Sequence, residues 1–196
     1  EDIDLLGRFA GNSQLVPRRI DAARDVAELA EPARAIQDQV ERLWRQGVKV
    51  EVIAELTSDL NRRLSVRLFE LVAPASIRAE GCLILMGSEG RAEQTVRTDQ
   101  DNGLLLGAEV PAAELDAFRE AFSGALDSFG FPPCPGNVMV RNPLWSQTAS
   151  GMERQLRRWV DARTPEAAMN IAIFLDAVAL TGRTALLDET KAALLR

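Results

Sequence analysis

The residues best suited to chemistry are two aspartates, Asp99 and Asp101, which stand just before the apolar run 103–106. On an extended chain, residues two apart share one face, with Cα atoms about 6–7 Å apart. Carboxylate oxygens are the ligands that Mg²⁺ prefers. In two-metal phosphoryl transfer the ions lie about 3.5–4 Å apart, and a pair of aspartates can bridge them. The pair therefore predicts a catalytic site for Mg²⁺ (or Mn²⁺).

A glycine-rich segment comes before the aspartates, directly after the apolar run 82–86. Gly87 permits a sharp turn and a close approach of the backbone to a ligand. Ser88 is well placed to cap a following helix, whose free amides form a seat for phosphate. The guanidinium of Arg91 can hold phosphate oxygens in a bidentate fork. The pattern predicts a strand, a glycine turn, a short helix and a second strand, with a triphosphate held by Gly87, Ser88, Gly90 and Arg91.

Three further polar residues are predicted to support this site. Glu93 could order Arg91 or join the metal ligands, and an ion pair between Arg91 and a neighbouring glutamate is the structural alternative to phosphate binding. Thr98 and Asn102 flank the aspartates, so we expect them to brace the pair, as groups around metal ligands often do.

The segment resembles the nucleotidyltransferase superfamily with the DNA polymerase β-like core, whose hallmark is a Gly-Ser turn followed by an Asp-x-Asp pair. The resemblance is closer to the nucleotidyltransferase family DUF294, which is related to the uridylyltransferase domain of the enzyme that modifies PII signalling proteins. It covers roughly residues 20–196. The residues that carry it are Gly87-Ser88-Glu89-Gly90-Arg91-Ala92-Glu93-Gln94, Thr98-Asp99-Gln100-Asp101-Asn102, Cys134-Pro135-Gly136-Asn137-Val138-Met139, Asn142-Pro143-Leu144-Trp145 and Phe174-Leu175-Asp176.

The resemblance implies a nucleoside triphosphate donor, UTP or ATP, and a hydroxyl acceptor that can be a side chain of a regulatory protein. It also implies regulatory modules upstream in a longer chain. Active members of the superfamily usually add a third carboxylate on a later strand, and the strand expected near Val138 has no acid. Asp127, Asp176 and Glu93 are the candidates to replace it. Two functions therefore stay open: an active nucleotidyltransferase, or an inactive module that senses nucleotides or binds proteins.

Composition and motif spacing exclude several other kinds of catalysis, partner and metal site. The 196 residues contain no histidine, which excludes Ser-His-Asp and Cys-His catalysis within them. The net charge of −6 disfavours nucleic acid as a partner, and no run is apolar enough to suggest a membrane partner. A calcium loop that begins at Asp99 fails, because its sixth and twelfth positions are Leu104 and Val110. We expect Cys82 and Cys134 to be reduced packing residues of a cytoplasmic protein.

Hydrophobic periodicity predicts the elements around the site. Apolar residues recur every three or four positions over 26–43 and 52–71, with a break at Gly47, which favours an antiparallel helical hairpin over a coiled-coil dimer. Further helices are predicted after Pro111 and over 152–163, 165–180 and from 184, with a strand at 138–140. We expect an α+β fold (mixed α/β) with a polymerase β-like core and a small mixed sheet. Its regions are an N-terminal helical region, the core and a C-terminal helical region, at 1–75, 76–145 and 146–196.

Overall fold

The computed structural model describes residues 15–87 and 99–194 of the chain. No helix among these residues is long and apolar enough to cross a membrane. The helices are α1 (Leu15–Ala22), α2 (Val26–Arg45), α3 (Val50–Val72), α4 (Ala75–Glu80), α5 (Ala112–Ser128), α6 (Ala149–Ala162), α7 (Pro165–Leu175) and α8 (Ala185–Ala193), with a 3₁₀ turn at Pro143–Trp145. The strands are β1 (Gly81–Leu85), β2 (Asn102–Leu106), β3 (Ser146–Thr148) and β4 (Val178–Gly182).

Helices α2 and α3 form the predicted hairpin. The Asp25 side chain caps α2 by accepting a hydrogen bond from the backbone N–H of Glu28 at 2.8 Å. Leu29, near the start of α2, shares a core with Leu68, near the end of α3. At the other end of the hairpin, Leu43 packs with Ile53. The two helices are therefore antiparallel within one chain, and their periodic apolar residues pack in shared clusters.

The four strands form one mixed sheet in the order β3-β2-β1-β4. Strand β1 is central and pairs antiparallel with β2 on one side and with β4 on the other. Strand β3 is short and runs parallel to β2. The strands β1 and β2 match the two apolar runs on either side of the predicted site.

The sheet lies between two layers of helices. Leu83 and Leu104 share one core with α1, α2, α3 and α5. Their neighbours Ile84 and Leu105 point to the opposite face and pack with α6, α7 and α8. This alternation follows from the two-residue period of a strand, and it explains why both strands are apolar at every central position. The α+β class, with a small mixed sheet between the N-terminal hairpin and the C-terminal helices, is confirmed.

The prediction of a helix over 165–180 is wrong for its last residues. Helix α7 ends at Leu175, and Val178–Gly182 form β4. The N–H of Ala177 donates to the carbonyl of Phe174 at 3.1 Å and closes the last turn. The strand forms because the edge of β1 offers hydrogen-bond partners that no local pattern reveals.

The strand predicted at 138–140 is also wrong. These residues have no strand pairing, and the neighbour of β2 is β3, whose backbone follows the 3₁₀ turn. Two strands of the sheet thus come from the predicted C-terminal helical region. The division at 1–75, 76–145 and 146–196 stays a prediction.

Candidate active site

Strands β1 and β2 bring the glycine turn and the aspartates to the same edge of the sheet. Because the strands are antiparallel, Leu85 at the end of β1 faces Asn102 at the start of β2. The N–H of Met86 donates to the carbonyl oxygen of Asp101 at 2.9 Å, so the pairing continues one residue beyond the strands. Gly87 and Asp101 therefore lie side by side.

Gly87 has a structural requirement for glycine. Its φ of +57° lies in the left-handed region that side chains disfavour. A Cβ atom at this position would lie 2.3 Å from Oδ2 of Asp101 and 3.0 Å from its Cγ. The missing side chain leaves the space that the Asp101 carboxylate occupies. The sequence predicted Gly87 as a turn with close backbone approach, and the structure adds that Asp101 is what it approaches.

The two aspartates form a cluster with a third residue, Cys134. One carboxylate oxygen from Asp99, one from Asp101 and the Sγ atom of Cys134 all lie within 4.8 Å of one another. All three residues are half-buried. The aspartates lie just before β2 rather than within it, yet their carboxylates converge as the spacing predicted. Cys134 was not predicted here, since the sequence gives no local sign that it returns to the pair.

A tight turn positions Cys134. The N–H of Asn137 donates to the carbonyl oxygen of Cys134 at 2.8 Å, and Pro135 and Gly136 occupy the two central positions of the turn. Asn137 adopts the left-handed conformation with a φ of +54°. The side-chain amide of Asn142 donates to the carbonyl oxygen of Asn137 at 2.9 Å. The Cys-Pro-Gly-Asn sequence therefore forms a hydrogen-bonded turn that holds Cys134 beside the aspartates.

The surroundings of Cys134 favour the protonated thiol. Burial raises the pKa of Cys134 above its ordinary value, and hydrogen bonding to Asp101 and the negative charge of that residue raise it further. Backbone hydrogen bonds at Val138 and Gly136 act in the opposite direction without reversing the shift. Neither cysteine forms a disulfide. Cys82 is fully buried in β1, and Cys134 packs against the same core while lying half-buried at the acidic cluster, so both are the packing residues expected.

Gln100, between the two aspartates, anchors the pair to the rest of the fold. Its side chain is 1% exposed, and its Nε2 donates to the carbonyl oxygens of Ser123 at 3.2 Å and Phe131 at 3.0 Å. Its backbone N–H donates to the carbonyl oxygen of Pro132 at 2.9 Å. No role was predicted for this residue. The alternation of an extended chain could have indicated it, because a residue between two outward-facing acids faces inward.

Asn102 links the start of β2 to the segment that follows the Cys134 turn. It is 2% exposed, and its Oδ1 accepts a hydrogen bond from the N–H of Val140 at 2.9 Å. Its own N–H donates to the carbonyl oxygen of Val138 at 3.2 Å. Asn102 was predicted to brace the aspartates. Its contacts tie the strand that follows the aspartates to the loop that carries the thiol.

The other predicted residues fall into two groups. Ser88, Gly90, Arg91, Glu93 and Thr98 fall outside the described residues, so their roles stay predictions. Within the described parts of the chain, neither of the other two candidate acids joins the cluster. Asp127 lines a separate cavity with Gln37 and Pro132, and Asp176 follows the last residue of α7.

The cluster fits a divalent cation. Two carboxylates held close together repel each other, and a bound cation relieves that repulsion. Their oxygen atoms suit Mg²⁺, and a sulfur ligand suits transition metals. Asp99 and Asp101 supply the oxygens and Cys134 the sulfur. The space left by Gly87 keeps the Asp101 carboxylate in this position.

Comparison with protein families agrees with this geometry. The family described as "Putative nucleotidyltransferase DUF294" matches residues 34–166, a range that includes Gly87, both aspartates and Cys134. No match to the chain was found among curated proteins or among solved structures. The family match spans more than half of the 196 residues. The chain therefore belongs to the DUF294 family.

Proposed function

We propose that the chain transfers a nucleoside monophosphate from a nucleoside triphosphate, UTP or ATP, to a hydroxyl acceptor and releases pyrophosphate. Family membership supports the general reaction class. The observation that carries the proposal is the convergence of the Asp99 and Asp101 carboxylates beside Gly87 at the ends of β1 and β2. A glycine turn next to paired carboxylates provides space for phosphate and ligands for a cation at one point.

In this proposal Asp99 and Asp101 hold Mg²⁺ or Mn²⁺. When bound, such an ion neutralises developing charge on the phosphates and lowers the pKa of an oxygen nucleophile. Gly87, together with the predicted phosphate residues that follow it, holds the triphosphate. The acceptor hydroxyl attacks the α-phosphorus in line and gives its proton to solvent, the bond between the α-phosphorus and the oxygen bridging to the β-phosphorus breaks, and pyrophosphate leaves. The protein contributes chiefly position and electrostatic stabilisation.

We further propose that the acceptor is a side chain of a regulatory protein, as in PII uridylylation. These residues contain no tyrosine, so a tyrosine acceptor would have to lie outside them. The reaction would take place in the cytoplasm, and regulatory modules upstream in a longer chain would control it.

Pyrophosphate release tests the proposal. Wild-type protein, incubated with each nucleoside triphosphate, Mg²⁺ or Mn²⁺ and candidate acceptor proteins, should release pyrophosphate and label one acceptor. Asp99→Asn should lower the rate by about 100-fold or more, the scale expected when reacting groups lose their position. Asp127→Asn is the matched control, because it removes the same charge from an exposed acid outside the cluster. Equal rates in the two variants would contradict the role given to Asp99.

One observation favours a second function, an inactive nucleotide-sensing or protein-interaction module. Among the described residues, the third group beside the aspartates is a thiol rather than an acid. A thiol that stays protonated is a poor substitute for the carboxylate that helps to deprotonate an acceptor. Nucleotide and metal binding without pyrophosphate release from any acceptor would support this function over catalysis.

A further inference from the structure

The ligand set of the cluster is unusual for a site that serves Mg²⁺. Mg²⁺ is bound by oxygen atoms and keeps several waters. Here one of the three converging atoms is the Sγ of Cys134. Thiolate sulfur is a soft ligand that selects transition metals such as Zn²⁺, while carboxylate oxygen suits Mg²⁺ and Mn²⁺ alike. A mixed oxygen and sulfur set therefore distinguishes among divalent cations.

The position of Cys134 suits a ligand as well as a packing residue, because the side chain borders the core that contains Cys82 and lies beside both carboxylates. The thiol is half-buried and interacts with the carboxylate of Asp101. Its separation of at most 4.8 Å from both carboxylate oxygens is close to the span of atoms that share one ion. Ligands about 2.0–2.3 Å from a tetrahedral zinc ion lie about 3.3–3.8 Å apart, so the three atoms need to approach one another by no more than about 1.5 Å. Small side-chain rotations would therefore bring all three atoms onto a single cation.

The backbone around Cys134 is built to hold this position. The N–H of Asn137 donates to the carbonyl oxygen of Cys134 itself, and Asn102 is hydrogen-bonded to Val138 and Val140 in the segment that follows. The same asparagine begins β2, immediately after Asp101. Thiol and carboxylates are thus connected through one rigid hydrogen-bonded unit, which favours a preformed ligand set.

We propose that Cys134 is a metal ligand of this centre, and that it makes the centre prefer a sulfur-accepting divalent cation, such as Co²⁺ or Zn²⁺, over Mg²⁺. The inference rests on the proposed function, because it takes Asp99 and Asp101 as the other ligands. On binding, a sulfur–metal bond forms and the thiol proton passes to solvent. Cys134 thereby occupies the place where a third carboxylate was expected.

Absorption spectroscopy with Co²⁺ tests the proposal directly. A thiolate bound to Co²⁺ gives a charge-transfer band in the near ultraviolet, and carboxylates do not. Wild-type protein titrated with Co²⁺ should show this band. Cys134→Ser should abolish it, and Cys82→Ala should keep it, because Cys82 is fully buried in β1. If Cys134→Ser fails to fold by circular dichroism, Cys82→Ala decides alone, since Cys134 is then the one cysteine left among the 196 residues.

Calorimetry measures the metal preference. Cys134→Ser should weaken Co²⁺ binding by about 10–100-fold or more, because losing even a group behind a metal ligand costs about that much. Its Mg²⁺ binding should change far less. Cys134→Asp should shift the preference toward Mg²⁺ by completing an all-oxygen set.

The outcomes separate this inference from the proposed function. If wild-type protein binds Co²⁺ without the band, or if Cys134→Ser binds it as tightly, Cys134 is not a ligand, while the aspartate site stands. If wild-type protein binds none of these cations, with or without a nucleoside triphosphate, the proposed function and the inference both fail.

Discussion

Replacing Gly87 with alanine should disable the site while leaving the fold in place. The structure imposes two requirements at this position, a left-handed backbone with a φ of +57° and a close approach to Asp101. Alanine meets neither requirement without cost. The first affects stability and the second affects the carboxylate, so the two effects can be measured separately.

The stability cost follows from the backbone. An L-residue in the left-handed region costs about 1–2 kcal/mol. For a domain of this size, that should lower the melting temperature by about 2–8 °C. Gly47→Ala is the matched control, because Gly47 has a φ of +74° and an added Cβ there would meet nothing within 4 Å. The two variants should lose similar stability.

The functional cost follows from the contact. An alanine Cβ at Gly87 would lie 2.3 Å from Oδ2 of Asp101, whereas ordinary contact begins at 3.4 Å. The carboxylate must therefore move by about 1 Å, a misplacement that can cost about 100-fold in rate. Gly87→Ala should lose about that much pyrophosphate release and bind metal more weakly by calorimetry. Gly47→Ala should match wild type in both assays.

A Gly87→Ala protein that melts like Gly47→Ala and still releases pyrophosphate at the wild-type rate would refute this reasoning. It would mean that the position of the Asp101 carboxylate does not matter, or that the reacting groups lie elsewhere. Loss of activity in both glycine variants would instead assign the effect to backbone strain.

Three further predictions concern stability. Gln100→Leu removes two buried hydrogen bonds, to the carbonyl oxygens of Ser123 and Phe131, and should lower the free energy of unfolding in urea by about 1–3 kcal/mol; an unchanged value would show that Gln100 does not anchor the aspartates. Burial, reinforced by the charge of Asp188, raises the pKa of Cys82 from 9.0 to about 11. The resulting stability is present below pH 9 and is lost as the pH rises toward 11, so wild-type protein should lose about 2 kcal/mol more than Cys82→Ala over that range, whereas parallel pH profiles would contradict the assignment. Lys191 donates to the carbonyl oxygens of Leu175 at 2.7 Å and Ala177 at 2.6 Å, and Lys191→Met should lower the unfolding free energy by about 1 kcal/mol by removing them; no change in the urea midpoint would show that these bonds contribute nothing.

The helices and the two central strands could be predicted because their signals are local. The apolar residues of α2 and α3 repeat every three or four positions, and each helix buries that stripe against the other. The runs that become β1 and β2 are continuously apolar, as strands covered on both faces must be.

The two segments whose secondary structure was predicted wrongly depend on partners that are distant in sequence. Val178–Gly182 continue an apolar helical pattern, and only the available edge of β1 makes them a strand. Residues 138–140 are apolar enough for a strand. Instead of pairing with a strand, the carbonyl of Val138 and the N–H of Val140 form hydrogen bonds with Asn102. Neither outcome could be inferred without knowing how the chain is arranged in space.

The candidate site divides in the same way. Asp99, Asp101 and Gly87 were predictable because their chemistry and spacing are local to one strand–turn–strand unit. Cys134 was not, because the whole of α5 and a turn separate it from the aspartates in sequence. Its return to the pair depends on a hydrogen bond that Gln100 donates to Pro132 before it, and on the bonds that join Asn102 to Val138 and Val140 after it.

The central claim is that the aspartate pair and the glycine turn hold a metal ion and a triphosphate together. A crystal structure of the protein soaked with Mn²⁺ and a slowly hydrolysed nucleoside triphosphate tests it most directly, because Mn²⁺ can be located by its anomalous scattering. The account predicts a manganese peak within coordinating distance of Asp99 and Asp101, with the phosphates against Gly87. A well-occupied nucleotide bound elsewhere, with no manganese at the two aspartates, would contradict it.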